Sequence, residues 1–393
     1  MNFRKIKDKV FAVGVQDWGR RLFDSLIPLP DGTSYNSYLL QGSEKTAIID
    51  TVDPAFADKF FENLEGLEKL DYIITLHSEQ DHSGSIPLLL ERFPNAELIC
   101  SPKAKDLVVE HLLVAPEKIR VMEDGEKLSL GDKTLRFIHT PWVHWPETMV
   151  AYLEEDRILF SCDFLGSHWT TSDLFVEDDP AVIEAARRYY AEIMMPFRSF
   201  ILKNLEKVKQ LDIDLVAPSH GPIWKKPEVI ISAYEDWSSE RVENKVLIPF
   251  VSMHGSTHKM VDYFADELIR LGVKVELFDL AVTDIGKLAM SLIDAATIVI
   301  GSPTVHVGPH PFVANTAILA NVLKPKARFA AIIGSYGWGT RVVDSILGLL
   351  PNLKAEVLGA VICKGEAKED TKKELTQLAE LIAKKHQELG LIK

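Results

Sequence analysis

The chain has 393 residues, of which 47% are hydrophobic and 26% charged, and its formal net charge is −13. This length exceeds one ordinary core, so two domains are expected, and the negative charge argues against nucleic acid or an anionic membrane surface as a partner. No apolar run is long enough to span a bilayer and the N-terminus lacks the apolar centre of a signal peptide, so a cytoplasmic protein is predicted.

The first predicted domain, residues 1–244, is rich in short strands. Most of these runs are apolar at both alternate positions, which is typical of strands buried on both faces. Helices are predicted between them, for example Asp58–Lys69 and Pro180–Met194, so mixed sheets with outer helices fit the pattern. The predicted strands are YNSYLLQG, KTAIIDTV, DYIITLHS, AELICS, TLRFIHTP, TMVAYL, RILFSCDF and DLVAPSHG.

The second predicted domain, residues 245–393, alternates strictly between strand and helix and ends in a charged helix over Lys368–Leu389. Five parallel strands with intervening helices in this length indicate a doubly wound sheet of flavodoxin size. The polar stretch Glu235–Asn244 is the expected boundary. The predicted strands are VLIPFVS, VKVELFDL, ATIVIGSP, RFAAIIGS and AEVLGAVICK.

The densest group of potential metal ligands is the run His77-Ser78-Glu79-Gln80-Asp81-His82, directly after the apolar strand DYIITL. Three more candidates follow later strands: His144 in the run WVHWPE, Asp163 after RILFSC, and His220 after DLVAPS. Four imidazoles and three carboxylates are too many for one first-row ion, so two ions that share a carboxylate are predicted. The absence of thiolates in this set favours iron or manganese over structural zinc.

A single histidine at a strand end is usually a hydrogen-bonding or surface residue, so the metal prediction depends on the whole set. Among the other histidines, His139 and His168 lie near the site in sequence and are candidates for supporting or gating it. His111 and His386 are expected on the surface. The three cysteines are scattered and form no CxxC pair, which excludes a disulfide framework and a rubredoxin-like iron site.

Three loops of the second domain are suited to a flavin phosphate and ring. The first, Ser252–Thr257, joins a strand to a helix and offers hydroxyls and backbone N–H groups, although such a loop alone is often only a helix cap. It lacks the lysine and spacing of a Walker nucleotide site. The loops Gly301–Thr304 and Gly334–Gly339 follow the third and fourth strands, at the sheet edge where doubly wound folds bind ligands. The last loop adds aromatic residues that can contact a flat ring.

The pattern H-x-x-x-D-H, followed by His, Asp and His at later strand ends, resembles the metallo-β-lactamase fold. Most hydrolases of that fold carry a histidine where this chain has Glu79, and a carboxylate there is similar to flavodiiron proteins. The resemblance covers essentially the whole chain. It implies an α/β protein with an N-terminal metallo-β-lactamase-like αββα sandwich and a C-terminal flavodoxin-like doubly wound parallel sheet. It further implies one iron bound by His77, Glu79 and His144, a second bound by Asp81, His82 and His220, and Asp163 as the bridge.

The same resemblance implies FMN in the three loops. Relatives often carry asparagines where this chain reads Val305-His306-Val307-Gly308, so altered contacts to the isoalloxazine ring are expected. Tyr189, Tyr190 and His168 are candidate catalytic residues, with helix packing as the alternative for the tyrosines. The implied FMN-binding residues are Ser252, Met253, His254, Gly255, Ser256, Thr257, Pro303, Thr304, Val305, His306, Gly308, Ser335, Tyr336, Gly337, Trp338 and Gly339.

The implied activity is the reduction of oxygen to water or of nitric oxide to nitrous oxide at the irons. Electrons would pass through FMN from an external donor such as rubredoxin or a reduced deazaflavin coenzyme. The implied assembly is a head-to-tail homodimer or a dimer of dimers. Two alternatives stay open: a zinc hydrolase with an attached flavodoxin domain, and an electron carrier that uses only its FMN.

Overall fold

The computed structural model describes residues 3–392, which form two compact units. One unit runs to Tyr190 and resumes over Phe197–Ser238, and the other comprises Ala191–Pro196 and the chain from Ser239 onward. The predicted boundary after residue 244 lies inside a strand, Glu243–Phe250, and the polar stretch before it includes the end of a helix, Pro227–Ser238. None of the described helices is long and apolar enough to cross a bilayer.

The first unit contains two seven-stranded sheets and two short hairpin-like pairs. All eight predicted strands of this unit are present. In spatial order the first sheet contains Arg4–Lys7, Val10–Ala12, Tyr38–Gln41, Thr46–Ile49, Tyr72–Ile74, Glu97–Cys100 and Ile119–Val121. The second contains Lys127–Ser129, Thr134–His139, Met149–Leu153, Ile158–Cys162, Leu215–Pro218, Ile223–Trp224 and Phe175–Val176. The short pairs are Val15–Asp17 with Thr33–Tyr35, and Leu22–Phe23 with Ile27–Pro28.

The central strands of the first sheet, such as Tyr38–Gln41 and Thr46–Ile49, are buried on both faces, whereas the edge strand Arg4–Lys7 is not. Leu40 and Ile49 point into the core between the two sheets, whereas Leu39 and Ile48 point into the core beneath the helices. Successive side chains of a strand alternate between faces, so a strand covered on both sides must be apolar throughout. This explains why the strand runs show no alternation in the sequence.

The helices of the first unit differ from prediction mainly at their ends. The helix predicted over Asp58–Lys69 ends at Asn63, because the chain turns at Leu64 and Gly66 adopts a positive φ of 83°. The helix predicted over Pro180–Met194 is α-helical to Tyr189 and continues as a π-turn over Tyr190–Met194. The α-helices are Ala57–Asn63, Gln80–Ser83, Ile86–Arg92, Pro102–Leu112, Pro180–Tyr189, Arg198–Val208 and Pro227–Ser238, with 3₁₀ turns at Pro54–Phe56 and Pro116–Lys118.

The second unit contains a sheet of five parallel strands. Numbered along the chain, the strands lie in the spatial order 2-1-3-4-5. This is the flavodoxin order, with a change of direction between the first and third strands. The strands are Lys274–Asp279, Glu243–Phe250, Ala295–Val305, Phe329–Tyr336 and Glu356–Lys364, and Gly308–Pro309 pairs back onto the third. The helices are Ser256–Arg270, Ile285–Leu292, Pro311–Leu323, Val342–Gly348 and Glu369–Glu388. The predicted two-part α/β architecture is confirmed.

The surface prediction for His386 is wrong, whereas His111 is exposed as expected. The His386 side chain is fully buried on the last helix and stacks on Phe329. Its Nδ1 lies 2.8 Å from the Asn244 amide oxygen, so Nδ1–H donates there, and Nε2 accepts from the Thr297 hydroxyl at 2.7 Å. The prediction was wrong because several residues near His386 in the terminal helix are charged, which is typical of an exposed helix face.

We expect His386 to make the second unit sensitive to acid. Burial lowers the pKa of His386 from 6.5 to about 4. Between these pH values the imidazole is therefore protonated in the unfolded chain and neutral in the folded chain. The contribution of neutral His386 to the free energy of unfolding is complete above pH 6.5 and is lost as the pH falls toward 4. A pKa lowered from 6.5 to about 4 corresponds to a loss of about 3 kcal/mol. Urea unfolding at several pH values checks this, and His386→Gln, which keeps a donor and an acceptor, should flatten the dependence.

Candidate metal and flavin sites

The seven candidate metal ligands come from four separate loops of the first unit. His77 and Glu79 follow the strand Tyr72–Ile74, and the one-turn helix Gln80–Ser83 carries Asp81 and His82. His144 lies in the loop after Thr134–His139. Asp163 and His220 follow Ile158–Cys162 and Leu215–Pro218, which are parallel neighbours in the second sheet. Because parallel neighbours end at the same sheet edge, these two side chains come together.

The ligand atoms gather in two groups. The first group contains His77, Glu79, His144 and Asp163, and the second contains Asp81, His82 and His220. Within each group the nitrogen and oxygen atoms lie within 4.8 Å of one another. The structure therefore brings together all seven residues in the division that the resemblance implied.

Asp163 lies between the two groups and directs one oxygen at each. Oδ2 is 3.2 Å from Nε2 of His144 and 3.7 Å from Nε2 of His77. Oδ1 is 3.0 Å from Nε2 of His82 and 3.4 Å from Nε2 of His220. A carboxylate in this position can bridge two cations.

The chemistry of this cluster fits bound cations. Both oxygens of Asp81, Nε2 of His82 and Oδ1 of Asp163 are buried. Although some of these atoms lie close to one another, none of them makes a hydrogen bond of suitable geometry within residues 3–392. Buried polar atoms without partners are costly, and a metal ion between them would satisfy them. Burial disfavours the charge of Asp163, yet His82, His144 and His220 hold its pKa well below the usual range. The cluster is thus a concentrated set of Nε2 and carboxylate donors.

Two of the imidazoles are oriented by contacts at Nδ1, which leaves Nε2 for a metal. His77 Nδ1 lies 2.8 Å from Oε1 of Glu147, which also accepts from the backbone N–H of Ser78. His220 Nδ1 donates to the backbone oxygen of Ser34 at 2.6 Å. Such contacts fix the tautomer and ring orientation of metal-binding histidines.

Asp50 joins two of the ligand loops. Its carboxylate accepts from the backbone N–H of Leu76 at 2.8 Å and from the Ser219 hydroxyl at 3.1 Å. These residues immediately precede His77 and His220. Asp50 is almost completely buried, and burial raises its pKa to about 6 even though His82 and its hydrogen bonds oppose that rise.

The segment Gly32–Asn36 holds the His220 loop in place. The Asn36 amide donates to the backbone oxygens of Pro218 and Gly221, at 2.8 and 2.7 Å, and its own N–H donates to Ser219. Oγ1 of Thr33 lies 2.8 Å from Nδ1 of His168. This segment therefore positions the residues around His220, a role that its sequence alone does not reveal.

The two predicted tyrosines have different surroundings. Tyr189 is buried, and its ring centroid lies 4.8 Å from that of His168 and 6.0 Å from that of His220. Tyr190 packs on Tyr234 and Trp237, and its hydroxyl lies 3.1 Å from that of Ser238. The structure thus brings Tyr189 and His168 to the edge of the metal cluster and does not bring Tyr190 there.

A cavity of about 260 Å³ lies at the carboxyl edge of the second unit's sheet. It is formed by the ends of the first, third, fourth and fifth strands, where a doubly wound fold binds its ligand. Gly365, after the fifth strand, belongs to it and was not predicted. The lining residues are Ser252, Met253, His254, Ser256, Thr257, Pro303, Thr304, Ser335, Tyr336, Gly337, Trp338 and Gly365.

The first of these loops has the form of a phosphate cradle. Gly255 precedes the helix Ser256–Arg270 with a φ of 92°, a conformation that favours glycine. The hydroxyl of Ser252 accepts from the backbone N–H groups of Gly255 and His258, both at 3.2 Å. Thr257 and Ser335 approach within 3.0 Å through their hydroxyls and tie two of the loops together. Because Ser252 already accepts from the N–H of His258, the backbone N–H groups of Ser256 and Thr257 at the start of the helix are those that can receive an anion.

Five predicted flavin-binding residues lie outside the lining of this cavity: Gly255, Val305, His306, Gly308 and Gly339. Val305 and Gly308 pair across a tight hairpin whose tip is His306 and Val307. The tip residues are exposed and have positive φ values of 45° and 74°. His306 thus stands at the end of a strained hairpin rather than in the wall of the cavity.

Known proteins share both halves of this architecture. A family model described as ODP family beta lactamase matches residues 33–221. The nitric oxide reductase of Moorella thermoacetica is 34% identical over 85% of this chain and 86% of its own length. This chain belongs to the flavodiiron protein family.

Solved flavodiiron structures agree with the assignment over nearly the whole length. Rubredoxin oxygen:oxidoreductase from Desulfovibrio gigas superposes with a TM-score of 0.93 at 28% identity, covering 98% of each chain. The flavodiiron protein from Giardia intestinalis gives a TM-score of 0.89 at 28% identity, again with 98% of each chain covered. The relatives named here are oxidoreductases. The alternative of a zinc hydrolase with an attached flavodoxin domain therefore has less support.

Proposed function

We propose that this flavodiiron chain reduces oxygen or nitric oxide at two irons and receives electrons through bound FMN. The observation that carries the proposal is the division of seven ligand-type side chains into two groups joined by Asp163. The proposed ligands are those named above, in the same two sets. Glu79 takes part through Oε2, which lies 3.0 Å from Nε2 of His77 and 3.2 Å from Nε2 of His144.

A pair of ferrous ions would supply two electrons and reduced FMN would supply two more. The four electrons together suffice to reduce one oxygen molecule to water, whereas two nitric oxide molecules need only two. The protein's part is to hold the donors and to exclude water. His77, His82, Asp163 and His220 are each at most 2% exposed, so small molecules rather than bulk solvent would meet the open metal positions. This burial also strengthens every charge interaction in the site.

We propose that His168 and Tyr189 border the substrate. Nδ1 of His168 is engaged by Thr33, and Nε2 is buried without a partner among the described residues. Burial and the neighbouring His220 keep the pKa of His168 well below its ordinary value, so its ring is neutral. A neutral imidazole and a phenol can hydrogen-bond a small polar molecule without adding charge to the site.

Tyr189→Phe and Tyr190→Phe make a matched pair that tests this placement. The two tyrosines are adjacent in the chain, and each change removes one buried hydroxyl. Tyr189→Phe is expected to lower turnover roughly 10- to 100-fold with normal iron content, since a positioned hydrogen-bonding group is lost. Tyr190→Phe is expected to keep turnover and to lower stability by about 1 kcal/mol through loss of the Ser238 contact. Gas consumption and urea unfolding distinguish them, and equal turnover in both variants would contradict the assignment.

We propose FMN as the occupant of the cavity in the second unit, with its phosphate at Ser252–Thr257. The parallel-sheet edge, the glycine-led helix start and the aromatic side chains of Tyr336 and Trp338 support this choice. We propose a rubredoxin or a reduced deazaflavin coenzyme as the electron donor, since the 393 residues contain no CxxC pair that could form a rubredoxin site.

We propose that the working form is a head-to-tail homodimer, alone or paired into a tetramer, in which the flavin of one chain faces the irons of the other. Exposed apolar side chains lie beside both sites: Trp142 and Phe200 near His144, and Met253 and Trp338 around the flavin cavity. Large exposed apolar groups mark interaction surfaces. Dilution into the monomer should remove turnover, and a monomer with full turnover would contradict this assembly.

The deciding experiment is to purify the protein without air, measure iron, zinc and FMN, and follow oxygen and nitric oxide consumption with reduced rubredoxin. We expect about two irons and one FMN per chain, one iron for each ligand group and the FMN for the cavity of the second unit. Consumption of either gas would support the proposal and give the substrate preference. Zinc-loaded protein without gas consumption would overturn it.

A further inference from the structure

The two metal positions have matched ligand sets. Each has two imidazoles and one carboxylate of its own, and each faces one oxygen of Asp163. The ligands alone therefore give both positions the same formal charge. Any electronic difference between the positions must come from the groups that hold the ligands.

At the first position, the holding group is a buried carboxylate. Oε1 of Glu147 is 2.8 Å from Nδ1 of His77, and Glu147 is only 2% exposed. Its Oε2 is buried and has no partner within the described chain. An anionic acceptor at Nδ1 draws the ring proton toward itself and makes Nε2 a stronger donor to a metal.

The second position has no equivalent carboxylate. His220 donates from Nδ1 to a neutral acceptor, the backbone oxygen of Ser34. Nδ1 of His82 is buried and finds no acceptor anywhere in residues 3–392. Both imidazoles of this position are therefore weaker electron donors than His77.

Asp50 is the other buried carboxylate near the ligands, and it does not reverse this difference. It accepts hydrogen bonds from Leu76, which precedes His77, and from Ser219, which precedes His220. Neither of these contacts is to an imidazole nitrogen. Asp50 contacts the loops of both positions and therefore favours neither. Glu147 is the one carboxylate outside the ligand set that is hydrogen-bonded to a ligand ring in residues 3–392.

We propose, building on the diiron function proposed above, that Glu147 makes the iron at the His77 position the first of the pair to be oxidised. In a redox titration, a one-electron chemical oxidant added to the diferrous protein would accept one electron from that ferrous ion and leave it ferric, with the iron at the His220 position still ferrous. Glu147 is thus a positioning residue that sets the order of electron loss. It does not touch substrate.

Glu147→Gln tests this in the iron-loaded, FMN-containing enzyme, because it removes the charge and keeps the shape. Potentiometric titration followed by EPR measures the couple between diferrous and mixed-valence protein and the couple between mixed-valence and diferric protein. The first couple is expected to move to a more positive potential than in the wild type, with a smaller move of the second. The maximal mixed-valence signal should fall, and iron affinity should weaken roughly 10- to 100-fold.

Ser101→Ala is the matched control. Its hydroxyl donates to the backbone oxygen of Glu147 at 2.6 Å, so the change loosens the same residue without altering the carboxylate contact to His77. Both couples should stay at wild-type values in this control. A shift in Ser101→Ala equal to that in Glu147→Gln would overturn the proposal, because loop loosening would then explain both.

An unchanged first couple in Glu147→Gln, or movement of the second couple alone, would also overturn the proposal. If Glu147→Gln fails to retain iron, Glu147→Asp replaces it, since a shorter carboxylate weakens the contact and should give a smaller shift in the same direction. No shift in Glu147→Asp counts against the proposal. Iron content and gas consumption of the wild type test the proposed function separately, so the two failures are distinguishable.

Discussion

Asp163→Asn is expected to abolish stable binding of the metal pair and to lower turnover by on the order of a thousandfold. The substitution removes the one charge that faces both ligand groups, and it leaves Nε2 of His82 and His144 near a neutral amide. Loss of one partner from a buried charge cluster costs about 3–5 kcal/mol, which corresponds to the expected factor. Iron analysis after anaerobic desalting, together with oxygen or nitric oxide consumption, measures both effects.

Asp58→Asn provides the control, since it makes the same chemical change on the exposed first turn of the helix Ala57–Asn63. It should retain iron and turnover at wild-type values. Near-full iron content and near-normal turnover in Asp163→Asn would show that the two positions are not joined through this residue.

Ser256→Asp is expected to weaken FMN binding on the order of a thousandfold while the apoprotein stays folded. Ser256 is the first residue of the helix Ser256–Arg270 and lines the cavity. A carboxylate at a helix N-terminus stabilises the helix by about 0.3–1 kcal/mol. The same carboxylate would repel a flavin phosphate, and like charges placed together cost several kcal/mol. Folding and binding therefore change in opposite directions.

Ser256→Asn separates charge from shape in this experiment. It is similar in size to aspartate and neutral, so its FMN affinity should stay within about tenfold of the wild type. Flavin fluorescence titration gives the affinity, and urea unfolding of the apoprotein gives the stability. Tight FMN binding by Ser256→Asp would place the phosphate elsewhere in the cavity.

Much of the fold was predictable because its strands satisfy local rules. Runs such as TMVAYL, observed as the strand Met149–Leu153, are apolar on both faces, and the sheets that cover them explain this. The doubly wound parallel sheet followed from regular strand–helix alternation, whereas the order of its strands is visible only in the structure. The ends of helices were harder: the stop at Asn63 and the π-turn after Tyr189 depend on backbone conformation that side-chain patterns do not reveal.

The candidate ligands could be found because they cluster in sequence at strand ends, whereas the groups that hold them could not. Glu147 was visible only as the last letter of WVHWPE, and nothing local connects it with His77. Asp50 and Asn36 act through contacts to residues far along the chain. Tyr189 and Tyr190 are identical by type, and only the helix geometry separates their surroundings.

The contacts of Asn36 also determine when the metal site can form during synthesis. Its amide bonds join residues 182 and 185 positions apart, at Pro218 and Gly221. A nascent chain therefore cannot complete the His220 side of the site until the first unit is almost entirely made. Contacts of such long sequence separation form slowly, and metal binding is coupled to the folding of its ligands. We expect iron to enter after this long-range closure, as one of the last steps in the maturation of the first unit.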